Sequence, residues 1–222
     1  MESFNRLFDQ TILKATTTDE DLRKICEDAR KYGFHSVAVM PANVKKCAEF
    51  LAGSGVAPDA AISYPLGITT IEDKVFETEQ AIKDGAAEID YVVHIGKVKQ
   101  GDYDYITREM AAMVAVCRRW GVVCKVIFEN CYLTDAEKIR LCEIAEEVEP
   151  DYVKTSTGAG PSSATVEDVR LMCKHVGKKV LVKAAGGIRS LEDCLAMLEA
   201  GASRIGCSNS PAIVEAYQKR KG

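Results

Sequence analysis

The sequence has no C-x-x-C pair, no long apolar run and no excess of positive charge. Without a stretch approaching the ~20 apolar residues of a helical span, a membrane-embedded chain is not expected. The opening Met1-Glu-Ser-Phe-Asn-Arg6 lacks a basic segment followed by an apolar run, so a secretory signal is not expected and a cytoplasmic location is. Lysine and arginine number 29 against 33 aspartates and glutamates, a formal net charge of -4, which argues against a broad nucleic-acid-binding face. An anionic small ligand stays compatible with that balance, because a local site need not follow net charge. His35, His94 and His175 are far apart and show no ligand spacing, so no metal and no cofactor are expected. No linker, low-complexity segment or charge block interrupts the chain, and residues 1–222 read as a single domain.

What is there in number is cysteine, nine of them, scattered. Cys26 and Cys117 fall at apolar positions of helical patterns, and Cys124 sits in a strand-like run. They read as small buried hydrophobes in a reducing compartment rather than as disulfides or zinc ligands. Hydrophobic residues make up 47%, enough to bury a full core.

The apolar pattern alternates between short strands and amphipathic helices. After a short opening helix, Phe8 to Ile12 reads as a brief strand. Thr18 opens a helix with acidic residues in its first turn; Leu22, Ile25, Cys26 and Ala29 follow at helical spacing, and Gly33 closes it. Strands are expected at 36–40, 60–64, 88–93, 122–128, around Tyr152, around Val180 and at 203–206. Helices are expected between them, and Thr134-Asp-Ala-Glu137 fits a capping box. Eight strands alternating strictly with helices imply a parallel sheet, and eight units in this length imply a closed (β/α)8 barrel. A doubly wound open sheet is the alternative, but its glycine-rich phosphate fingerprint is missing from the first strand-helix turn.

Charge falls where strands should be buried: Asp9, Thr11, Asp90, Lys125, Lys154 and Lys183 lie in or at the ends of predicted strands. The stretches Asp151-Tyr-Val-Lys-Thr-Ser-Thr-Gly158 and Lys179-Val-Leu-Val-Lys-Ala184 each carry a lysine to the mouth of a strand and into a glycine-bearing turn. Burying an ammonium there is costly unless it is paired or neutral. Two lysines close together in a dry pocket are expected to depress each other's pKa, and a neutral amine attacks a carbonyl to form a Schiff base. Asp90 within reach would move protons. Lys125 reads equally well as one half of a structural ion pair, Asp9 as a turn cap and Thr11 as ordinary strand sequence. Turns at Gly158, at Gly186 and Gly187, and at Gly206 to Ser208 let the backbone approach a ligand. Barrels of this kind hold phosphate on the loops after strands seven and eight. Arg189 would assist there or be a surface side chain.

At these residues the sequence closely resembles the deoxyribose-phosphate aldolase family of class I aldolases, along almost its whole length. The resemblance runs through Phe8-Asp-Gln-Thr-Ile-Leu13, Tyr64-Pro-Leu-Gly67, Gly85-Ala-Ala-Glu-Ile-Asp90 and Lys125-Val-Ile-Phe-Glu129. It continues in Val153-Lys-Thr-Ser-Thr-Gly158, Val182-Lys-Ala-Ala-Gly-Gly-Ile-Arg189 and Ala200-Gly-Ala-Ser-Arg-Ile-Gly206. It implies cleavage of 2-deoxy-D-ribose 5-phosphate to glyceraldehyde 3-phosphate and acetaldehyde, with Lys154 forming the Schiff base, Lys183 lowering its pKa and Asp90 shuttling protons. It further implies that Asp9, Thr11 and Lys125 belong to the same pocket, and that Thr157, Gly158, Gly186, Gly187, Arg189, Gly206, Ser208 and Asn209 bind substrate, mostly at its phosphate end. The expected partners are a small phosphorylated sugar and an aldehyde, with a homodimer as the family's frequent assembly. Met40, Ala159, Ser162, Ser163 and Asn209 depart from the family's usual residues and bear on fit at the phosphate end, not on imine chemistry. The chain stops at Lys221-Gly222 without the terminal tyrosine of some members, which bears on gating by the tail. Two alternatives are a class I aldolase for another phosphosugar and a non-catalytic barrel that only binds a sugar phosphate.

Overall fold

The structure is a computed structural model that describes residues 2–221; Met1 and Gly222, and with Gly222 part of the reading of the tail, lie outside the described residues. In chain order the elements are α1 (Glu2–Asn5), β1 (Phe8–Ile12), α2 (Asp19–Tyr32), β2 (Ser36–Val39), α3 (Val44–Leu51), β3 (Ala57–Ile62) and α4 (Ile71–Lys83). They continue with β4 (Glu88–Val92), α5 (Ile95–Lys99), α6 (Tyr103–Trp120), β5 (Val123–Ile127), α7 (Asp135–Val148) and β6 (Tyr152–Lys154). The last are α8 (Val166–His175), β7 (Leu181–Ala185), α9 (Leu191–Glu199), β8 (Arg204–Cys207) and α10 (Ser210–Lys221). The strands follow one another around a closed barrel, and β8 pairs in parallel with β1.

Local chemistry sets the element ends. Thr18 with Asp21, Thr134 with Glu137 and Ser190 with Asp193 form reciprocal capping boxes at α2, α7 and α9. Gly33 ends α2 at φ 66°, a backbone conformation glycine adopts without a Cβ penalty. The strands are buried on both faces because helices cover the outside and packed side chains fill the inside. Phe8, Ile89, Tyr91, Cys124, Val126, Val153, Val182 and Ile205 join the hydrophobic core. Cys26, Cys47, Cys117, Cys124, Cys142, Cys194 and Cys207 are buried within this packing, while Cys131 and Cys173 are half-buried.

Most strand ends fall within a residue or two of the expected bounds, the seventh starting at Leu181, just past Val180; two elements depart further. The third strand runs from Ala57 to Ile62 rather than from 60 to 64. It takes in Pro58, whose carbonyl accepts from Ala87, and it stops where Ser63 turns to φ 50°. The short α5 has no apolar periodicity to announce it; the His94 ring caps it by accepting from Lys97 N. Among the described residues no helix is long and apolar enough to cross a membrane.

Candidate active site

Strand register decides which charges meet inside the barrel. Asp90 stands beside Lys125 across β4 and β5, and Lys154 beside Lys183 across β6 and β7. A side chain on every second strand residue turns inward. Asp9, Asp59, Glu88 and Asp90 therefore face Lys125, Lys154, Lys183 and Arg204, acids and cations in equal number, all buried. Such a cluster survives burial only because each charge has a close opposite.

Asp90 is the hub. Its Oδ1 accepts from Lys125 Nζ at 2.7 Å, and its Oδ2 accepts from Lys154 Nζ at 2.5 Å and Lys183 Nζ at 2.7 Å. Burial alone would raise its pKa, but the three lysines overcome that and hold it well below the ordinary carboxylate range. Lys154 is pushed down from its ordinary value, first by burial and then by the charge of Lys183, against the pull of Asp90. Lys183 goes the other way. Burial would lower it, yet Asp9 at 2.5 Å and Asp90 raise it. Mutual depression of the two lysines is therefore corrected: one is depressed and its neighbour is held charged. Asp59 is raised to about 7, by burial and by Asp90.

Lys125 is enclosed by carboxylates, with Asp59 and Glu88 each 2.8 Å away and Asp9 at 4.0 Å. Those three acids converge closely enough to hold a cation, and the ammonium of Lys125 takes that position. Arg204 closes the lower layer, donating to Asp9 at 2.8 Å and to Tyr152 Oη at 3.1 Å.

Above this layer opens a cavity of about 680 Å³ at the C-terminal ends of the strands. Lys154 reaches its wall, together with Thr11, Thr157, Gly158, Gly186, Gly187, Arg189, Gly206 and Ser208. Asp90, Lys183, Asp9 and Lys125 do not border it; they lie below, and of these Asp90 is the ion-pair partner of Lys154. Asn209 also lies off the wall, its side chain donating to the Arg189 carbonyl at 3.4 Å. Thr157 borders the cavity, but its N–H and O–H both go to the buried carboxylate of Glu129.

The wall also includes Lys14, Met40 and Tyr64, while Asp59, Glu88 and Arg204 complete the layer beneath. Glu88 and Arg204 carried the same signal that singled out Asp90 and Lys125, a charge inside an expected strand; Asp59 fell just before the strand expected at 60–64 and joins the layer because the strand starts at Ala57. Lys14 carried none, since a lysine just past a strand is ordinary surface sequence.

Residues 5–209 match the family described as DeoC/LacD family aldolase. The chain belongs to the DeoC/LacD aldolase family. It is 54% identical over 220 residues to the deoxyribose-phosphate aldolase of Lactobacillus acidophilus, which covers 99% of this chain and 93% of that one. It is 50% identical over 216 residues to the enzyme of that name from Caldanaerobacter subterraneus, covering 97% and 94%. The tetrameric deoxyribose phosphate aldolase from Aeropyrum pernix superposes with a TM-score of 0.91 at 29% identity, over 99% of this chain and 92% of that one. Among the described residues, the cavity wall of this DeoC/LacD aldolase carries three basic side chains, Lys14, Lys154 and Arg189, and no carboxylate.

Proposed function

We propose that the chain reversibly cleaves 2-deoxy-D-ribose 5-phosphate to D-glyceraldehyde 3-phosphate and acetaldehyde through an imine on Lys154. The observation that carries this reading is Lys154 itself, buried at the base of the cavity, depressed in pKa and hydrogen-bonded to a carboxylate that Lys183 shares.

The neutral amine of Lys154 attacks C1 of the open-chain sugar, and the carbinolamine loses water to an iminium. A base takes the proton of the C3 hydroxyl, and the C2–C3 bond breaks. Its electrons flow into the iminium, leaving an enamine, and C3 departs as the aldehyde of glyceraldehyde 3-phosphate. Protonation at C2 and hydrolysis then release acetaldehyde and restore Lys154. Asp90 lies at hydrogen-bond distance from the reacting nitrogen and supplies the proton relay, with Lys183 held charged behind it. No step requires a cofactor.

The phosphate binds at the opposite end, where Gly158, Gly186, Gly187 and Gly206 bring bare backbone to the wall and Lys14 and Arg189 bring charge. Ser208 adds a hydroxyl. The enzyme works in the cytoplasm, where its free thiols stay reduced, and as a homodimer. Exposed Leu66, Ile68 and Phe76 support self-association. Release of glyceraldehyde 3-phosphate from 2-deoxyribose 5-phosphate tests the reaction. Faster cleavage of another phosphosugar would favour the related aldolase reading.

A further inference from the structure

We infer that Glu129 is the positioning residue for the phosphate end of the cavity, acting through Thr157; this rests on the function proposed above. Glu129 follows β5 and holds φ at 56°, a left-handed conformation uncommon for a residue with a side chain. Its carboxylate is buried and does not border the cavity. Thr157 N lies 3.2 and 3.3 Å from its two oxygens, and Thr157 Oγ1 donates to Oε2. Having given its proton away, Thr157 Oγ1 accepts from Ala159 N at 3.0 Å, and the Thr157 carbonyl accepts from Tyr64 Oη at 2.8 Å. Every polar atom of Thr157 is thus committed, and the chain on either side of it is fixed.

The next residue is where this matters. Gly158 at φ 90° faces Gly186 at φ 87° across the mouths of β6 and β7. A Cβ built on Gly186 would stand 3.4 Å from Gly158 Cα, so the two bare backbones pack directly against each other. Two residues further on, Gly160 passes so close to Glu129 that a Cβ would meet its carboxylate at 3.4 Å and Cys131 Sγ at 2.7 Å. The loop wraps around the carboxylate, and Glu129 sets how far Gly158 stands from Gly186. Thr157 has no donor left for substrate, so the loop's share of phosphate binding falls on the glycine backbone.

The test compares Glu129→Gln with the wild type on 2-deoxyribose 5-phosphate and on 2-deoxyribose, which lacks the phosphate. The amide keeps the shape but replaces one of the two acceptor oxygens facing Thr157 with an N–H donor and removes the negative charge. The expected result is a KM for the phosphate ester raised about tenfold or more, with kcat changed less than about threefold. Cleavage of 2-deoxyribose should fall by less than about threefold. Thr157→Val, which removes the hydroxyl alone, should repeat the split in smaller measure, and it decides the question should Glu129→Gln not fold. Equal losses on both sugars, or an unchanged KM for the ester, would overturn the inference. A wild type that cleaves neither sugar would overturn the functional reading, and this one with it.

Discussion

Lys154 and Lys183 hold the same atom. Their ammonium nitrogens lie 2.5 and 2.7 Å from Asp90 Oδ2, so they can be no further apart than the sum of those distances. They differ in what else they touch. Lys183 also contacts Asp9 at 2.5 Å and Asp59 at 3.5 Å, whereas among the described residues the ion pair of Lys154 is with Asp90 alone. The proton therefore leaves Lys154 first, and the better-compensated neighbour stays charged.

Lys183→Met removes the cation that helps keep Lys154 neutral and leaves Asp90 freer to hold Lys154 protonated. Both changes raise the pKa of Lys154. The rising limb of the kcat/KM profile against pH should move to higher pH by about one unit or more, with about a tenfold loss at neutral pH for each unit. An unmoved limb would show that Lys183 does not tune the amine.

Lys125→Met leaves Asp59, Glu88 and Asp90 without their shared counter-ion in a fully buried layer. Removing one partner of a buried pair costs roughly 3–5 kcal/mol. Urea unfolding should show a loss of at least about 3 kcal/mol, and a loss within 1 kcal/mol would mean that the cluster rearranges freely.

Acid should unfold the protein through the same layer. Asp90 and Asp9 titrate below their ordinary range in the fold, and Glu88 is lowered to about 2, in each case because neighbouring cations outweigh burial. The unfolded chain binds protons more readily at these groups, so their stabilisation is present above the unfolded carboxylate value and fades below about pH 4. Asp59, raised to about 7, acts in the opposite sense between about pH 4 and 7. Denaturant titrations across pH 2.5 to 7.5 should show stability falling steeply below about pH 4; a flat acid limb would contradict the ion-pair account.

The barrel was legible because strand and helix periods alternate without a break and because caps such as Thr18 and Thr134 mark where helices begin. The lysines stood out because charge inside an apolar strand has few physical explanations. Strand register was not legible. Whether Asp90 would meet Lys125, Lys154 or both depends on pairings such as Ile127 with Lys154, which follow from barrel closure and not from any local pattern. For the same reason Asp9 and Lys125, read as pocket residues, lie in the layer beneath it. Asn209 came from resemblance, and its side chain turns back to the Arg189 carbonyl.

Lys14 offers the cavity a charge that resemblance did not suggest. Lys14→Ser should raise KM for the phosphate ester about three- to tenfold and weaken its dependence on salt, since a lost exposed cation removes a screened attraction. An unchanged KM at low ionic strength would place the phosphate elsewhere.

The chemistry proposed here rests on Lys154 Nζ, and reductive trapping reaches that nitrogen directly. Incubation with acetaldehyde and borohydride, followed by peptide mapping, should place a single irreversible ethyl group on Lys154, and Lys154→Leu should abolish both label and cleavage. A label on Lys183 or Lys125, or an active enzyme that takes none, would contradict the account.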